Sequence, residues 1–357
     1  MSDVTRKSHL DGARGVAACV VFFGHLSLAL TKAIWLFNGN AAVCIFFVLS
    51  GYVLSDLVQR SPLSFPAHAV RRYTRLVGPM LITSTLAWAL LALGAYQNVE
   101  AAAITGSDWL ASWYKFAPSF PDMILETVYG VFTSGESRYN CNLWTMRPEL
   151  IGSLYVFVLG AAVSSRRGRT ICYLVLGAAY WSDYVLLFPV GALLYEFEAE
   201  IVSLMRWTSI KAMLTAIGLF FCIATEKMLA TLHFPQVDMV RLHMFAAVLI
   251  VLCVLTWEFL QSILSSAFGR WLGRISFTLY LIHVPIICSL TSWLMLTLPA
   301  RLMLGGTAAI TIATVFALST LTYIFVDDIP TRASRAIGYG FQRLLESRRG
   351  SQMTVAR

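Results

Sequence analysis

The chain has 357 residues, of which 58% are hydrophobic and only 13% charged, with a mean hydropathy of +0.70. Soluble domains average about 45–50% apolar and about 25% charged residues, so a globular enzyme with one buried core is excluded and an all-α, polytopic membrane protein is expected. The formal charge of +8 needs no nucleic-acid partner, because basic loops on one side of a bilayer account for it.

The opening residues, MSDVTRKSHLDGARG, are polar, and the apolar run after them leads into the fold without a small-residue cleavage site. No removable signal peptide is expected. The first apolar stretch, 13–32, is entered through LDGARGVAACVVFFGHL. Arg14 and His25 are eleven residues apart. At about 100° per residue they share one helix face, about 16 Å apart along the axis. Asp11 suits the helix start, and Gly12 and Gly15 allow close backbone approach. An ionisable residue within a span is costly unless paired or hydrated. His25 therefore reads either as a general base working near neutral pH or as a histidine that hydrogen-bonds a neighbouring helix.

The second stretch, 40–59, contains FFVLSGYVLS. Its Gly51 and Ser55 permit tight helix packing, and Ser50 is a candidate hydrogen-bonder beside the site. The third, 76–96, follows RRYTRL. Arg72 and Arg75 share a face at i, i+3, as do Arg71 and Arg75 at i, i+4. Such a cluster either forks phosphate or holds its loop inside. The connection 97–145 is long and carries Trp109, Trp113 and Tyr114. These aromatics read as an interfacial belt or as a platform for a sugar or other acceptor, and PDMILETVYGVF as an interfacial or re-entrant helix.

The fourth stretch, 146–164, opens with NLWTMRPELIGSLYVF. Pro148 suits a first turn and Glu149 a positive helix N-terminus. Glu149 could pair with Arg147 or face a cavity and hold an acceptor. The fifth and sixth, 170–182 and 184–198, are short and flank WSDY, as a tight hairpin or one broken passage. The seventh and eighth are 210–226 and 242–261. The ninth, 274–297, contains RISFTLYLIHVPI, with His283 in mid-span and Pro285 placed to kink the helix. His283 is a candidate substrate contact or a structural hydrogen-bonder. The tenth is 302–326, and the basic tail, 336–357, reads as disordered or bound to anionic headgroups.

With the N-terminus placed in the cytoplasm, 20 of the 27 Lys and Arg residues, Arg6 and Arg357 among them, fall on that side and seven, including Lys32, opposite. This asymmetry fits ten spans with both termini cytoplasmic. The seven cysteines show no zinc-site or CxxC spacing and read as small packing residues. No metal site is expected.

Five motifs taken in order, LDGARGVAACVVFFGH, FFVLSGYVLS, RRYTRLVGP, LWTMRPELIGSLYVF and ISFTLYLIHVPI, resemble the membrane acyltransferase-3 family. FPVGALLYEF and YIFVDDIPTR are also similar to family elements, so the resemblance runs from about residue 8 to 335. It implies one membrane domain, 1–335, of ten helices that moves an acyl group, acetyl above all, from acyl-CoA to a hydroxyl of a sugar, glycan or other small acceptor. By that resemblance Arg14 and His25 match its Arg-x10-His pattern, with His25 as base. Arg72 and Arg75, with Arg71 beside them, match its Arg-x-x-Arg element for CoA phosphates. Glu149, His283 and Ser50 fall to the acceptor side. Two departures stand out: LWTMRPE where a Glu-Glu form is more frequent, and Asp327-Asp328 where Glu-x-Pro is more usual. The expected setting is the plasma (inner) membrane. The expectation includes a tunnel running from Arg14 to His25. A transporter of a polar or lipid-linked solute is the alternative reading of buried Arg, His and Glu.

Overall fold

The structure, a computed structural model, describes residues 7–31, 38–233 and 237–355. Arg6, Lys32 and Arg357, counted above for topology, lie outside the described residues. Every regular element among the described residues is helical, one of the two ways, beside a closed β-barrel, in which a chain satisfies its own backbone where lipid offers no hydrogen bonds.

Each of the ten expected stretches falls on a helix. These are α1 (Ser8–Thr31), α2 (Gly39–Arg60), α3 (Phe65–Ala92), α4 (Met146–Ala162), α5 (Arg166–Ala179), α6 (Leu187–Glu196), α7 (Thr208–Ile223), α8 (Met239–Thr256), α9 (Ala267–Ile286) and α10 (Ala300–Tyr323); α11 (Ile329–Val355) follows. Side-chain caps set several starts: Asn38 accepts from Asn40 and Ala41, Ser165 from Gly168, and Asp238 from Val240 and Arg241.

By length and composition, six helices among the described residues suffice to cross a membrane: α1, α2, α3, α8, α9 with its extension to Thr297, and the continuous unit Ala300–Arg348. A seventh is reached if Glu198–Leu204 and α7, bent by 109° at their junction, count as one span. α4 has 17 residues, α5 14 and α6 10. These fall short of the roughly 20 that a perpendicular span requires. The stretch around WSDY takes the hairpin form, with Asp183 capping the turn into α6 through Val185 N.

α1 and α9 lie side by side and run in the same direction, since Gly15 meets Leu272 and, further along both, His25 meets His283. The seam is closed by backbone. A Cβ on Gly15 would stand 2.5 Å from the Leu272 carbonyl carbon, and one on Gly273 2.5 Å from that of Asp11. Pro285 does not end α9. The helix widens into a π-turn over Ile287–Thr291 and continues as Ser292–Thr297.

PDMILETVYGVF turns back alongside α3. Phe120 packs on Trp88 at 4.9 Å between centroids, whereas Phe132 packs on Tyr73 at 5.4 Å. Tyr73 also donates to Val128 O at 2.8 Å. Fifteen residues of α3 separate those contacts, about 22 Å of helix, so the segment runs lengthwise along α3. The tail departs from its expected disorder, for α11 is helical through Val355. It has a partner in α3, where Pro330 meets Gly78, Gly338 meets Arg71, and Gln342 Oε1 accepts from Ser64 N at 3.0 Å. An i, i+4 pair between Asp328 and Arg332 at 2.7 Å supports its first turn.

The α1–α9 seam should tolerate no added carbon. Gly15→Ala is expected to destabilise the protein by about 1–3 kcal/mol, read as a lower thermal midpoint of detergent-solubilised protein. An unchanged midpoint would mean that the two backbones are not in contact.

Candidate active site

α1, α2, α3, α4, α9 and the turn before α11 enclose a cavity of about 180 Å³. Its charged lining is Asp11 and Arg14 from α1, Arg72 and Arg75 from α3, Glu149 from the first turn of α4, and Asp327 from the wide turn Ile324–Asp328. Arg72 is ion-paired with Glu149, and its Nε donates to Ser153 Oγ at 2.9 Å. Ser50 Oγ donates to Glu149 Oε1 at 2.7 Å. Arg75 is ion-paired with Asp327 and lies over the Phe277 ring, 5.1 Å from its centroid. Arg14 Nη1 stands 4.0 Å from Asp11 Oδ1.

Three guanidinium groups and three carboxylates thus balance in formal charge, which makes their burial tolerable. One donor is left over. Arg75 Nη1 is buried and has no hydrogen-bond partner among the described residues. A charged N–H without an acceptor is costly in a protein interior, and an anionic oxygen entering the cavity would supply one.

Tyr280 and Thr145 also line the cavity. The Tyr280 hydroxyl lies 2.8 Å from Thr145 Oγ1 and donates to Asn142 O at 2.9 Å. Along α9 beyond Tyr280, His283 Nε2 stands 2.9 Å from His25 Nδ1, with the ring planes 24° apart. His283 Nδ1 is 2.9 Å from Leu279 O, and Asn142 Nδ2 is 3.5 Å from His283 Nε2. His283 is fully buried and His25 half-buried. Trp109 stacks on His25 at 4.8 Å between centroids, and Trp113 meets Trp109 edge-on at 6.2 Å.

The segment that carries Asn142 is fixed by a gap in α9. Pro285 has no N–H to give the Leu281 carbonyl four residues earlier. Asn140 Nδ2 donates to that oxygen at 2.7 Å, and Asn142 Nδ2 donates to Tyr280 O at 2.8 Å. Both asparagines are buried, so their donors have no water to fall back on.

The structure brings Arg14, Arg72, Arg75, Glu149 and Ser50 together, and separately pairs His25 with His283. It does not put the two groups in one space, because neither histidine is among the cavity's lining residues and Tyr280 and Asn142 stand between. Among the described residues the cavity reaches Arg14 but is not lined by His25, so it does not by itself form the tunnel expected between them. Arg71 lies outside the cavity, facing Gly338 of α11. A one-hundred-degree step per residue turns it away from Arg72. Glu149 pairs with Arg72 and not with Arg147, which is exposed. Sequence reasoning missed Asp11 as a cavity residue, having read it as a helix-start charge, and missed Tyr280, Thr145, Asn140 and Asn142 altogether. The available signal was Pro285, whose missing donor demands an outside partner. Among the described residues no three of His, Cys, Asp and Glu gather into a metal site.

A family model described as an acyltransferase domain matches residues 8–324. An acyltransferase of Phoma sp. is 27% identical over 351 aligned residues, covering 78% of this chain and 74% of the relative. One of Cochliobolus lunatus is 25% identical with the same coverage. A peptidoglycan O-acetyltransferase of Listeria monocytogenes is 23% identical over 367 aligned residues, covering 92% of this chain but only 56% of the relative. No solved structure matches the chain.

The pairing across α3 and α4 can be measured directly. Arg72→Ala and Glu149→Ala should each lower stability, and the double variant should lose less than the two combined. The coupling energy expected from a double-mutant cycle is about 1–3 kcal/mol. Simple additivity of the two thermal shifts would show that the pair does not form.

Proposed function

This chain belongs to the acyltransferase family whose model it matches, and we propose that it moves an acyl group, acetyl above all, from acyl-CoA to a hydroxyl of a carbohydrate or similar small acceptor. The observation that carries the proposal is the unpaired, buried Arg75 nitrogen in an otherwise charge-balanced cavity. Arg14, which lines the same cavity, stands about 16 Å along α1 from a half-buried histidine, His25.

In this reading Arg75 and Arg72 receive the donor's phosphates. Arg14 completes the basic lining, and Arg71 serves at the α11 face rather than in the cavity. The acyl thioester reaches His25 when Tyr280 turns aside from Thr145 and Asn142. The acceptor arrives from the Trp109 side, where an aromatic face suits the apolar face of a sugar ring. His25 takes the hydroxyl proton and the hydroxyl oxygen bonds to the acyl carbon. The carbon–sulfur bond breaks, and the proton passes on to the departing thiolate. Glu149 and Ser50 hold Arg72 in place. The peptidoglycan O-acetyltransferase of Listeria monocytogenes makes a cell-surface glycan the first acceptor to test.

The topology belongs to the same proposal. Ten passages, with α4–α7 tilted or packed as shorter ones, place both termini and the arginine cavity on the cytoplasmic side of the plasma membrane. Donor and acceptor then approach from opposite sides.

Two experiments test this reading. His25→Ala should lower acyl transfer from labelled acetyl-CoA by about 10²–10⁴-fold while membrane-inserted protein stays at wild-type level; retained transfer removes His25 from the mechanism. Arg75→Gln should raise the KM for acetyl-CoA about 10–100-fold, the loss of a charge-assisted hydrogen bond. A rise in acceptor KM alone would contradict the donor assignment.

A further inference from the structure

Resting on the reading of His25 as base, we infer that His283 is a positioning residue that fixes the tautomer of His25 and so selects Nε2 as the proton-accepting atom. Leu279 O can only accept, so the His283 Nδ1 that lies 2.9 Å away must carry the hydrogen. A neutral imidazole has one N–H, which leaves His283 Nε2 as a lone pair. Asn142 Nδ2, also a donor, faces that same nitrogen at 3.5 Å. His25 Nδ1 stands 2.9 Å from it and must therefore donate. The remaining nitrogen of neutral His25, Nε2, holds the lone pair.

The opposite orientation would need hydrogens on both His283 nitrogens. That is a cation on a ring with 0% exposure, whose hydrogen-bond partners are a carbonyl, an amide and a second histidine. No carboxylate is among them, so the charged form lacks a counter-ion. His283 thus does for His25 what an acidic partner does in other base pairs, but as a neutral acceptor. It keeps accepting from His25 Nδ1–H after His25 Nε2 takes the hydroxyl proton. It also holds the ring in place, with Trp109 stacked on His25 and Phe22 edge-on to His283 at 5.9 Å between centroids.

The test uses the full chain in lipid nanodiscs with ¹⁵N-labelled histidine. Of the six histidines, the His25 and His283 signals are assigned by difference from His25→Gln and His283→Gln. Solid-state ¹⁵N spectra at neutral pH should show both rings protonated at Nδ1 and bare at Nε2. In His283→Met, which fills the space but cannot accept comparably, His25 should lose its Nδ1–H form as the dominant one. His25 protonated at Nε2 in the unaltered protein would overturn the inference, whatever the activity. In kinetics with acetyl-CoA and soluble peptidoglycan fragments, His283→Met should lower kcat by about 10²-fold or more, with the acetyl-CoA KM within about twofold. His283→Gln, whose carboxamide oxygen can take the place of Nε2, should recover kcat to within about tenfold of wild type. His283→Met at wild-type kcat, or His283→Gln as inactive as His283→Met at equal membrane levels, would overturn it. Retained turnover in His25→Ala would instead sink the base reading and leave the tautomer result standing.

Discussion

Charge placed inside a low-dielectric bundle has to be neutralised where it stands, and this constraint organises the site. Arg72 cannot face the interior without Glu149, nor Arg75 without Asp327. The first pair joins α3 to α4, and the second joins α3 to the turn before α11. The first adds to the apolar contact between α3 and α4, where His68 stacks on Phe157. Under the proposed function, a donor phosphate would compete with carboxylates already in place, and the buried Nη1 of Arg75, which has no partner among the described residues, would be where that exchange begins.

The proposed donor and base sites lie apart in the structure. Basic residues collect near the start of α1 and α3, while the two imidazoles lie further along the α1–α9 pair. Between them Tyr280 is bonded to the Asn142–Thr145 turn. In the proposed function that partition would keep a thioester from water until an acceptor is present, since a base that activates a hydroxyl also activates water.

Much of this was legible in the sequence. All ten helical stretches were visible as apolar runs, because in lipid hydropathy and secondary structure report one requirement. Arg14, His25, Arg72, Arg75, Glu149 and His283 were visible because charge in an apolar run is conspicuous. Span lengths were less so. Hydropathy does not say that α5 and α6 are short because Asp183 caps a turn between them. Tertiary polar contacts were not legible at all. Asn140, Asn142 and Thr145 sit in a segment whose composition resembles any loop. Arg71 and Arg72 are adjacent in the chain yet point to different neighbours, which only helix packing decides. The tail's charge suggested disorder or anionic headgroups; the structure makes it helical and gives its first part a face on α3.

Pro285 and Asn140 are, in effect, one feature written at two places in the chain. The proline withholds a donor from Leu281 O, and the asparagine supplies it. Neither is useful alone: an N–H at 285 would leave the amide of Asn140 competing for an occupied carbonyl, and an apolar side chain at 140 would strand that oxygen in the interior. Across related sequences the two positions should therefore change together. Such covariation would date from the moment this loop was first docked onto α9, and it would mark which relatives inherited the docking.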